Sequence, residues 1–337
     1  MSKTVIVGWD IGGAHLKFAA LDAHGDLIAI EQIPCALWRG LDVLEAAFNK
    51  AITQHGLEKA QHFCTMTGEM VDLFDNRAQG IQQIAEIASG ILGADTRFYA
   101  VGEGWVFADQ VQAFARLVAS TNWHASATWL ARTVPNALLV DIGSTTTDII
   151  PIVGGKVALQ GISDAERMRE DTLVYTGVVR TPVMALAGNL AFEGGDVNVA
   201  AEYFATTADV YRLLGELDAR YDMADTADGK GKTLPESARR LARMVGHDSE
   251  DRSLQTWRDL AMTCKQVQMQ RIKTAMLKHL QADMTILAAG AGAFLAQAVA
   301  HKIGHACEPI SMGLPAHADY GPCLPAYAVA QLAAHHA

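Results

Sequence analysis

The sequence predicts an α/β protein made of two similar half-molecules. Two observations carry that reading: a strand–turn–strand unit that occurs twice, and helical periodicities that alternate with short apolar runs around the two copies. The second copy is the more explicit. Ala137 to Val153 reads ALLVDIGSTTTDIIPIV: an apolar run ending on Asp141, a hydroxyl-rich turn (Gly143, Ser144, Thr145, Thr146, Thr147), then a second apolar run behind Asp148. Runs of Val, Leu and Ile bounded by Gly and Ser/Thr read as two strands joined by a tight turn. The first copy, Val5 to Leu21, reads VIVGWDIGGAHLKFAAL. Asp10 aligns with Asp141 and Gly12 with Gly143, 131 positions apart, and Lys17 falls where Asp148 falls. Each copy continues into a third strand after a glycine turn, His24-Gly25-Asp26 in the first and Gly154-Gly155-Lys156 in the second. A repeated three-strand unit implies two related halves facing each other.

Composition sets the outer limits. A chain of 337 residues suggests about two domains, and half of the residues are hydrophobic, enough for a core in each. The net charge of −10 and the lack of any Lys/Arg run argue against a nucleic-acid partner. Apolar stretches break well before the roughly 18 residues of a membrane span. The chain enters a strand by Thr4, leaving no room for a signal peptide, and five cysteines (Cys35, Cys64, Cys264, Cys307, Cys323) without a CxxC fit reduced thiols. A cytoplasmic location and small-molecule partners are expected; a homodimer stays open.

The elements follow in order. Strands are expected over Thr4–Trp9, His15–Leu21 and Asp26–Pro34. A helix then runs over about 41–54, with Leu41, Leu44, Ala47, Phe48 and Ala51 at helical spacing. A β-prone run from Gln61 ends in Thr67-Gly68-Glu69. Further elements are a helix over 79–92, a strand over 98–101, a turn at Gly102–Gly104, a helix over 106–119, and a helix over 123–132 with Asn122 as N-cap. After the second repeat, helix is expected over 204–217. The polar stretch 218–233 reads as a mobile loop. Its Gly231-Lys232-Thr233 is not a phosphate-binding P-loop, because the glycine required five positions earlier is Thr226. A short helix over 236–245 follows Pro235, and a long one over 251–281 carries a stripe from Leu254 to Leu280 that reads as core. A strand over 284–289 runs into Gly290-Ala291-Gly292 and a helix from Ala293, and a closing helix covers 325–334. Boundaries follow at 1–130, 131–324 and 325–337.

The turns are where chemistry is expected. Backbone N–H groups and hydroxyls at Gly12, Gly13, Gly143, Ser144, Thr145 and Thr146 can cradle an anion, and Asp10 and Asp141 can face a metal ion. Glycine after a buried strand, as at Gly290 and Gly292, permits close approach of a nucleotide or phosphate at a helix N-terminus. His301, His305 and Cys307 lie close together, but Gly304 interrupts the helix and no carboxylate stands at matching spacing, so zinc is not expected.

Asp10-Ile-Gly-Gly, Asp141-Ile-Gly-Ser-Thr-Thr-Thr-Asp and Ala288-Ala-Gly-Ala-Gly-Ala resemble, in order, the phosphate-1, phosphate-2 and adenosine elements of the acetate and sugar kinase/Hsp70/actin superfamily. That resemblance spans almost the whole chain. It implies two ribonuclease-H-like (actin-like ATPase) domains with an interdomain cleft. Within the superfamily the chain resembles the hydantoinase A/oxoprolinase branch, with Thr67-Gly68-Glu69 at the cleft edge. The runs Thr65–Met70, Asn122-Trp123, Asp141–Ile152, Tyr175–Pro182 and Glu202–Arg212 are similar to a subfamily associated with tetrahydromethanopterin-linked C1 transfer in methylotrophs. That subfamily is similar to a methanogen enzyme of methanofuran biosynthesis, which joins an aminomethyl-furanmethyl diphosphate to γ-glutamyl-tyramine with loss of pyrophosphate.

The resemblance implies a transferase that forms an aryl-alkyl ether. Mg²⁺ at Asp10, Asp141 or Asp148 would neutralise the diphosphate, Lys17 would add a point charge, and Glu69 is the candidate base for the phenol. Arg167, Arg169 or Arg180 would meet the acceptor's glutamyl carboxylate. ATP is compatible with this reading without being required. The alternatives are an ATP-dependent small-molecule kinase or hydantoinase/oxoprolinase-like hydrolase, and a non-catalytic nucleotide-sensing protein.

Overall fold

The computed structural model describes residues 5–310 and 321–335. Thr4, residues 336–337 of the closing segment and the 311–320 part of the expected second domain lie outside them.

The first three strands, β1 (Ile6–Ile11), β2 (His15–Leu21) and β3 (Leu27–Pro34), pair antiparallel in sequence order. β1 is buried at every position and β2 at all but Lys17, which is why they read as continuous apolar runs. Helix α1 (Leu41–His55) buries Leu44, Ala47, Phe48 and Ala51 and returns the chain to β4 (Gln61–Met66), parallel to β1 with Thr65 opposite Asp10. Helix α2 (Arg77–Leu92) is capped by Asn76, whose side chain accepts from Gln79 N.

The expected helix over 106–119 is not formed. β5 (Arg97–Ala100) and β6 (Gly104–Phe107) make a hairpin instead, with Phe98 opposite Val106. Gly102 and Gly104, both at φ 82°, turn the chain, and Trp105 packs edge-on against Phe63 and Tyr99. Only α3 (Ala115–Val118) is helical in the remainder. In α4 (Asn122–Leu130) the N-cap position is Thr121, so Asn122 is the first helical residue rather than the cap; its Oδ1 accepts from Trp123 N at 2.7 Å. The sheet order is β3-β2-β1-β4-β5-β6.

The second repeat gives β7 (Ala137–Ile142), β8 (Thr147–Val153) and β9 (Lys156–Val157), then α5 (Asp164–Arg169) behind a Ser163/Glu166 capping box. β10 (Leu173–Val174) pairs with β8, and β11 (Asn189–Phe192) with β12 (Gly195–Asn198). Helices α6 (Thr207–Leu214), α7 (Leu234–Arg243) and α8 (Leu254–His279) follow. β13 (Thr285–Ala289), α9 (Ala293–Ile303), β14 (Cys307–Pro309) and α10 (Leu324–Ala334) complete the chain. The second sheet runs β10-β8-β7-β13-β14, with β9 also on β8.

Contacts divide the chain into two compact units that are discontinuous in sequence. The first takes the described residues of 1–139, 150–170 and 310–337; the second takes 140–149 and 171–309. In the first, α10 lies directly on β1: a Cβ at Gly8 would overlap Ala326 O, so only glycine lets the helix backbone come this close. Trp9 fills the other face against Phe18 and Phe48 and donates Nε1 to His62 Nδ1 at 3.1 Å. Burial lowers the His62 imidazole to about 4, so it is a neutral core residue.

In the second unit, Trp257, Leu260 and Cys264 of α8 join Val210, Leu213 and Leu241 in one core. Leu254, at the head of the apolar stripe, stays exposed. The stretch 218–233 has no helix or strand, but it is tethered. Arg212 Nε meets Asp222 Oδ2 at 2.5 Å, and Arg240 Nη1 meets Asp228 Oδ1 at 2.9 Å. Its charges read as solvation in the sequence, whereas the fold uses them as anchors. Among the described residues no helix is long and apolar enough to cross a membrane.

Candidate functional site

The first turn closes through Gly12 N to His15 O at 3.0 Å. That pairing puts Lys17 opposite Asp10, and Lys17 Nζ lies 2.8 Å from Asp10 Oδ2. Asp10 is fully buried, and its Oδ1 has no hydrogen-bond partner among the described residues. A buried carboxylate oxygen in that state suits a cation or a bound donor. The turn is held from outside by Leu37 N to Gly13 O and by Val71, whose Cγ1 a Cβ at Gly13 would meet at 2.7 Å.

The second turn closes in the same way, Gly143 N to Thr146 O at 2.8 Å. The equivalence of the two copies extends to the neighbouring strands. Thr67 N and Gly68 N, just past β4, donate to Ile11 O; Gly292 N, just past β13, donates to Ile142 O. Thr67-Gly68-Glu69 is therefore the first unit's counterpart of Gly290-Ala291-Gly292. Gly290 stands at φ 80°, and a Cβ there would overlap Asp141 Oδ1 and Ile142 O. Gly290 thus seats the loop against Asp141, and Gly292 seats it against the Ile142 and Val178 side chains.

A segment flagged only by family resemblance supports this second turn. Val178 N reaches Gly143 O, while Val179 N and Arg180 N reach Ser144 O at 3.1 and 2.8 Å. Gly177 carbonyl and Thr176 hydroxyl accept from Gln268 Nε2, and Gln268 Oε1 accepts from Tyr211. A Cβ at Gly177 would fall 2.5 Å from both Ser144 C and Thr145 N. Gly177→Ala should therefore displace the turn at a cost of about 1–3 kcal/mol. The expected reading is a stability lower by that amount in urea unfolding, with an unchanged circular dichroism spectrum.

Glu69 has the most perturbed environment of the candidates. It is fully buried and accepts from Ser120 Oγ at 2.7 Å on Oε1; Oε2 has no hydrogen-bond partner among the described residues. Burial pushes its carboxyl up to about 7, against the Ser120 hydrogen bond and the more distant Arg77, both of which pull it down; Asp164 adds to the rise. Glu69 is thus neither a surface carboxylate nor a helix-cap neighbour. It follows Gly68, where a Cβ would meet Gly12 C and O at 3.3 Å, so the base candidate and the first turn share one backbone contact.

Ser120 Oγ also lies 3.4 Å from Asp164 Oδ2, and Asp164 is ion-paired with Arg77. Next to this group Arg167 is buried, its guanidinium 4.0 Å from the Trp123 ring centroid. Burial, followed by the Arg167 charge, lowers His124 to about 4, and the imidazole bonds Tyr99.

Within the first unit the fold gathers Asp10, Gly12, Gly13, Lys17 and Glu69. Within the second it gathers Asp141, Gly143, Ser144, Thr145, Thr146, Gly290, Gly292 and the backbone of Arg180. Asp148 lies half-buried on β8 opposite Leu173, next to Thr147, whose hydroxyl holds Thr176 O. Arg169 is exposed. Ser120, Asp164, Arg77 and the Arg167–Trp123 stack were not singled out as a group by sequence; the only local signal among them is the capping box at Ser163. His305 bonds Met284 O, and no group of three His, Cys, Asp or Glu residues suited to a metal occurs among the described residues.

The hydantoinase/oxoprolinase family profile matches residues 61–334. The chain belongs to the hydantoinase/oxoprolinase family. It is 32% identical over 252 residues, 74% of this chain and 73% of the relative, to the (4-{4-[2-(γ-L-glutamylamino)ethyl]phenoxymethyl}furan-2-yl)methanamine synthase of Methanocaldococcus jannaschii. The Methanococcus vannielii protein of the same name is 41% identical over 113 residues, 34% of this chain and 50% of that one. Among solved structures, an acetone carboxylase described as acting by ATP-dependent acetone carboxylation superposes with TM-score 0.57 at 10% identity, covering 97% of this chain and 70% of that one. Component A of the Acidaminococcus fermentans (R)-2-hydroxyglutaryl-CoA dehydratase gives 0.51 at 10%, covering 99% and 98%. The fold is the α/β class of two ribonuclease-H-like, actin-like ATPase domains.

Proposed function

We propose that the protein is a transferase that condenses an aminomethyl-furanmethyl diphosphate with the phenol of γ-glutamyl-tyramine, releasing pyrophosphate, in the biosynthesis of a methanofuran-type C1 carrier. The observation that carries this reading beyond the relatives' name is Glu69: a buried carboxyl held at about 7 and joined through Gly68 to the first phosphate-type turn. A phenol near pKa 10 needs a base to become a nucleophile, and a base is most effective when its own pKa lies near the working pH.

The chemistry divides among groups of this chain. Glu69 takes the phenol proton on Oε2. Gly13 and Ala14, whose N–H groups make no backbone hydrogen bond among the described residues, cradle diphosphate oxygens, and Lys17 brings positive charge to the same turn. The phenolate oxygen then forms the C–O bond as the bond from the furanmethyl carbon to the diphosphate breaks, and the electron pair leaves with pyrophosphate. The orphaned Oδ1 of Asp10 fits Mg²⁺, which would take few protein ligands and several phosphate and water oxygens, and which supplies charge neutralisation to the leaving group when bound. Asp141, seated on Gly290, is the equivalent carboxylate of the second unit.

Purified protein incubated with the furanmethyl diphosphate, γ-glutamyl-tyramine and Mg²⁺ should give the ether and pyrophosphate by mass spectrometry without ATP. The Gly290–Gly292 loop against Asp141 favours a second reading, an ATP-dependent kinase or hydrolase. ADP without ether in an ATP-containing arm would replace the transferase by that reading.

A further inference from the structure

We propose that Ser120 and Asp164 form a proton exit for Glu69, a relay that returns the buried base to its ionised state between turnovers. The inference rests on the transferase reading with Glu69 as base, and it follows from where the proton goes next. Glu69 is fully buried, so a proton taken from the phenol has no direct path to water. The side chain hydrogen-bonded to its carboxyl is Ser120, at 2.7 Å from Oε1. The Ser120 hydroxyl has a second acceptor, Asp164 Oδ2 at 3.4 Å. Asp164 pairs in turn with Arg77, whose side chain is 33% exposed, so the chain of polar groups runs from the buried carboxyl to solvent.

The backbone holds the middle member in place. Ser120 stands at φ 51°, a left-handed conformation that a non-glycine residue keeps only where its surroundings impose it. It lies between α3 and α4, facing the loop after β4 on one side and the start of α5 on the other. The charged groups around Glu69 among the described residues are Arg77 and Asp164, and none of the described cations bonds its carboxyl directly.

The step balances without any co-reactant. A half-turn of the Glu69 carboxyl about Cγ–Cδ presents the protonated oxygen to Ser120. That proton passes to Ser120 Oγ as the serine's own proton passes to Asp164 Oδ2, and Asp164 releases it to water beside Arg77. One proton crosses, the serine is regenerated, and Glu69 is again a carboxylate. Ser120 and Asp164 are positioning residues on this account, since neither touches the reacting atoms.

Rapid-quench kinetics on the full chain with both substrates test it. Ser120→Ala should give a first turnover within about threefold of wild type and later turnovers at least tenfold slower, a burst of one ether per protein. Its steady-state rate should show a larger solvent deuterium effect than its burst, and formate as a small proton carrier should restore the steady state alone. Asp164→Asn should behave alike, and the double variant should be no slower than either single one, as members of one path are non-additive. A Ser120→Ala variant with wild-type steady-state turnover would overturn the relay. So would one whose first turnover falls as far as its later ones, since Ser120 would then only orient Glu69. The underlying reading fails differently: wild type would form no ether, or Glu69→Gln would keep full activity, and the relay would fall with it.

Discussion

Replacing Glu69 by Gln should lower kcat for ether formation by about 10²–10⁴, the usual contribution of a positioned general base. The substitution keeps the shape and an acceptor for the Ser120 hydroxyl, so the loss isolates the proton-accepting role. The wild-type rate should rise with pH through about 7, because only the carboxylate accepts a proton and burial has moved its titration there. Stability should run the opposite way. The folded carboxyl titrates at about 7 against 4.5 when unfolded, so the folded state binds the extra proton between those values. Its stabilising contribution is full below 4.5 and is lost as pH rises through about 7. Glu69→Gln removes that penalty, and its unfolding free energy from urea titration at about pH 9 should exceed that of wild type by on the order of 3 kcal/mol, converging with it in acid. An inactive but alkaline-stabilised variant is the signature of a buried catalytic carboxylate. A fully active one would place the base elsewhere.

The parts of this site that are legible in the sequence are those written locally. Asp10-Ile-Gly and Asp141-Ile-Gly end equivalent strands, and each encodes a turn closed by its own glycine N–H, so spacing alone locates both turns. Glu69 is marked by its place after Thr67-Gly68, but its burial is not. The hydroxyl on its carboxyl comes from 51 residues away, and the next acceptor lies 44 residues beyond that. Arg167 illustrates the same limit: an arginine in a polar stretch reads as surface, and the Trp123 ring beneath it, a residue 44 positions away, helps to make its burial tolerable. The 106–119 segment reads as helix because its apolar residues suit either state. The two positive-φ glycines and the pairing of Val106 with Phe98 decide for a hairpin, which is a tertiary choice.

Arg240→Leu should destabilise the protein by about 3 kcal/mol, the lower end of the range for breaking a buried ion pair by removing one partner. Arg240 is fully buried, and its Nε lies 2.9 Å from Asp209 Oδ1. Asp209 is buried too, and it keeps Arg212 Nη1 at 2.7 Å and the Thr206 N–H when Arg240 is lost; those contacts set the low end. The same change releases Asp228 and with it one tether of the 218–233 loop. Arg239→Leu, at a half-exposed neighbour, should shift stability by no more than about 0.5 kcal/mol and serves as the control. Acid should narrow the difference. Burial alone would raise Asp228, but the Lys230 backbone and Arg240 hydrogen bonds and the Arg240 charge win and lower it below the ordinary 3.8. Stability from lowered carboxyls is present above 3.8 and lost as pH falls through the folded values, so the wild-type advantage in urea should shrink at about pH 3. Asp209 and Glu69 are both fully buried acids, and what separates their roles is the partner. Two guanidiniums bond directly to Asp209, which serves structure; among the described residues a hydroxyl rather than a cation bonds Glu69, which is left able to trade a proton. Equal urea midpoints for Arg240→Leu and wild type near neutral pH would contradict that division.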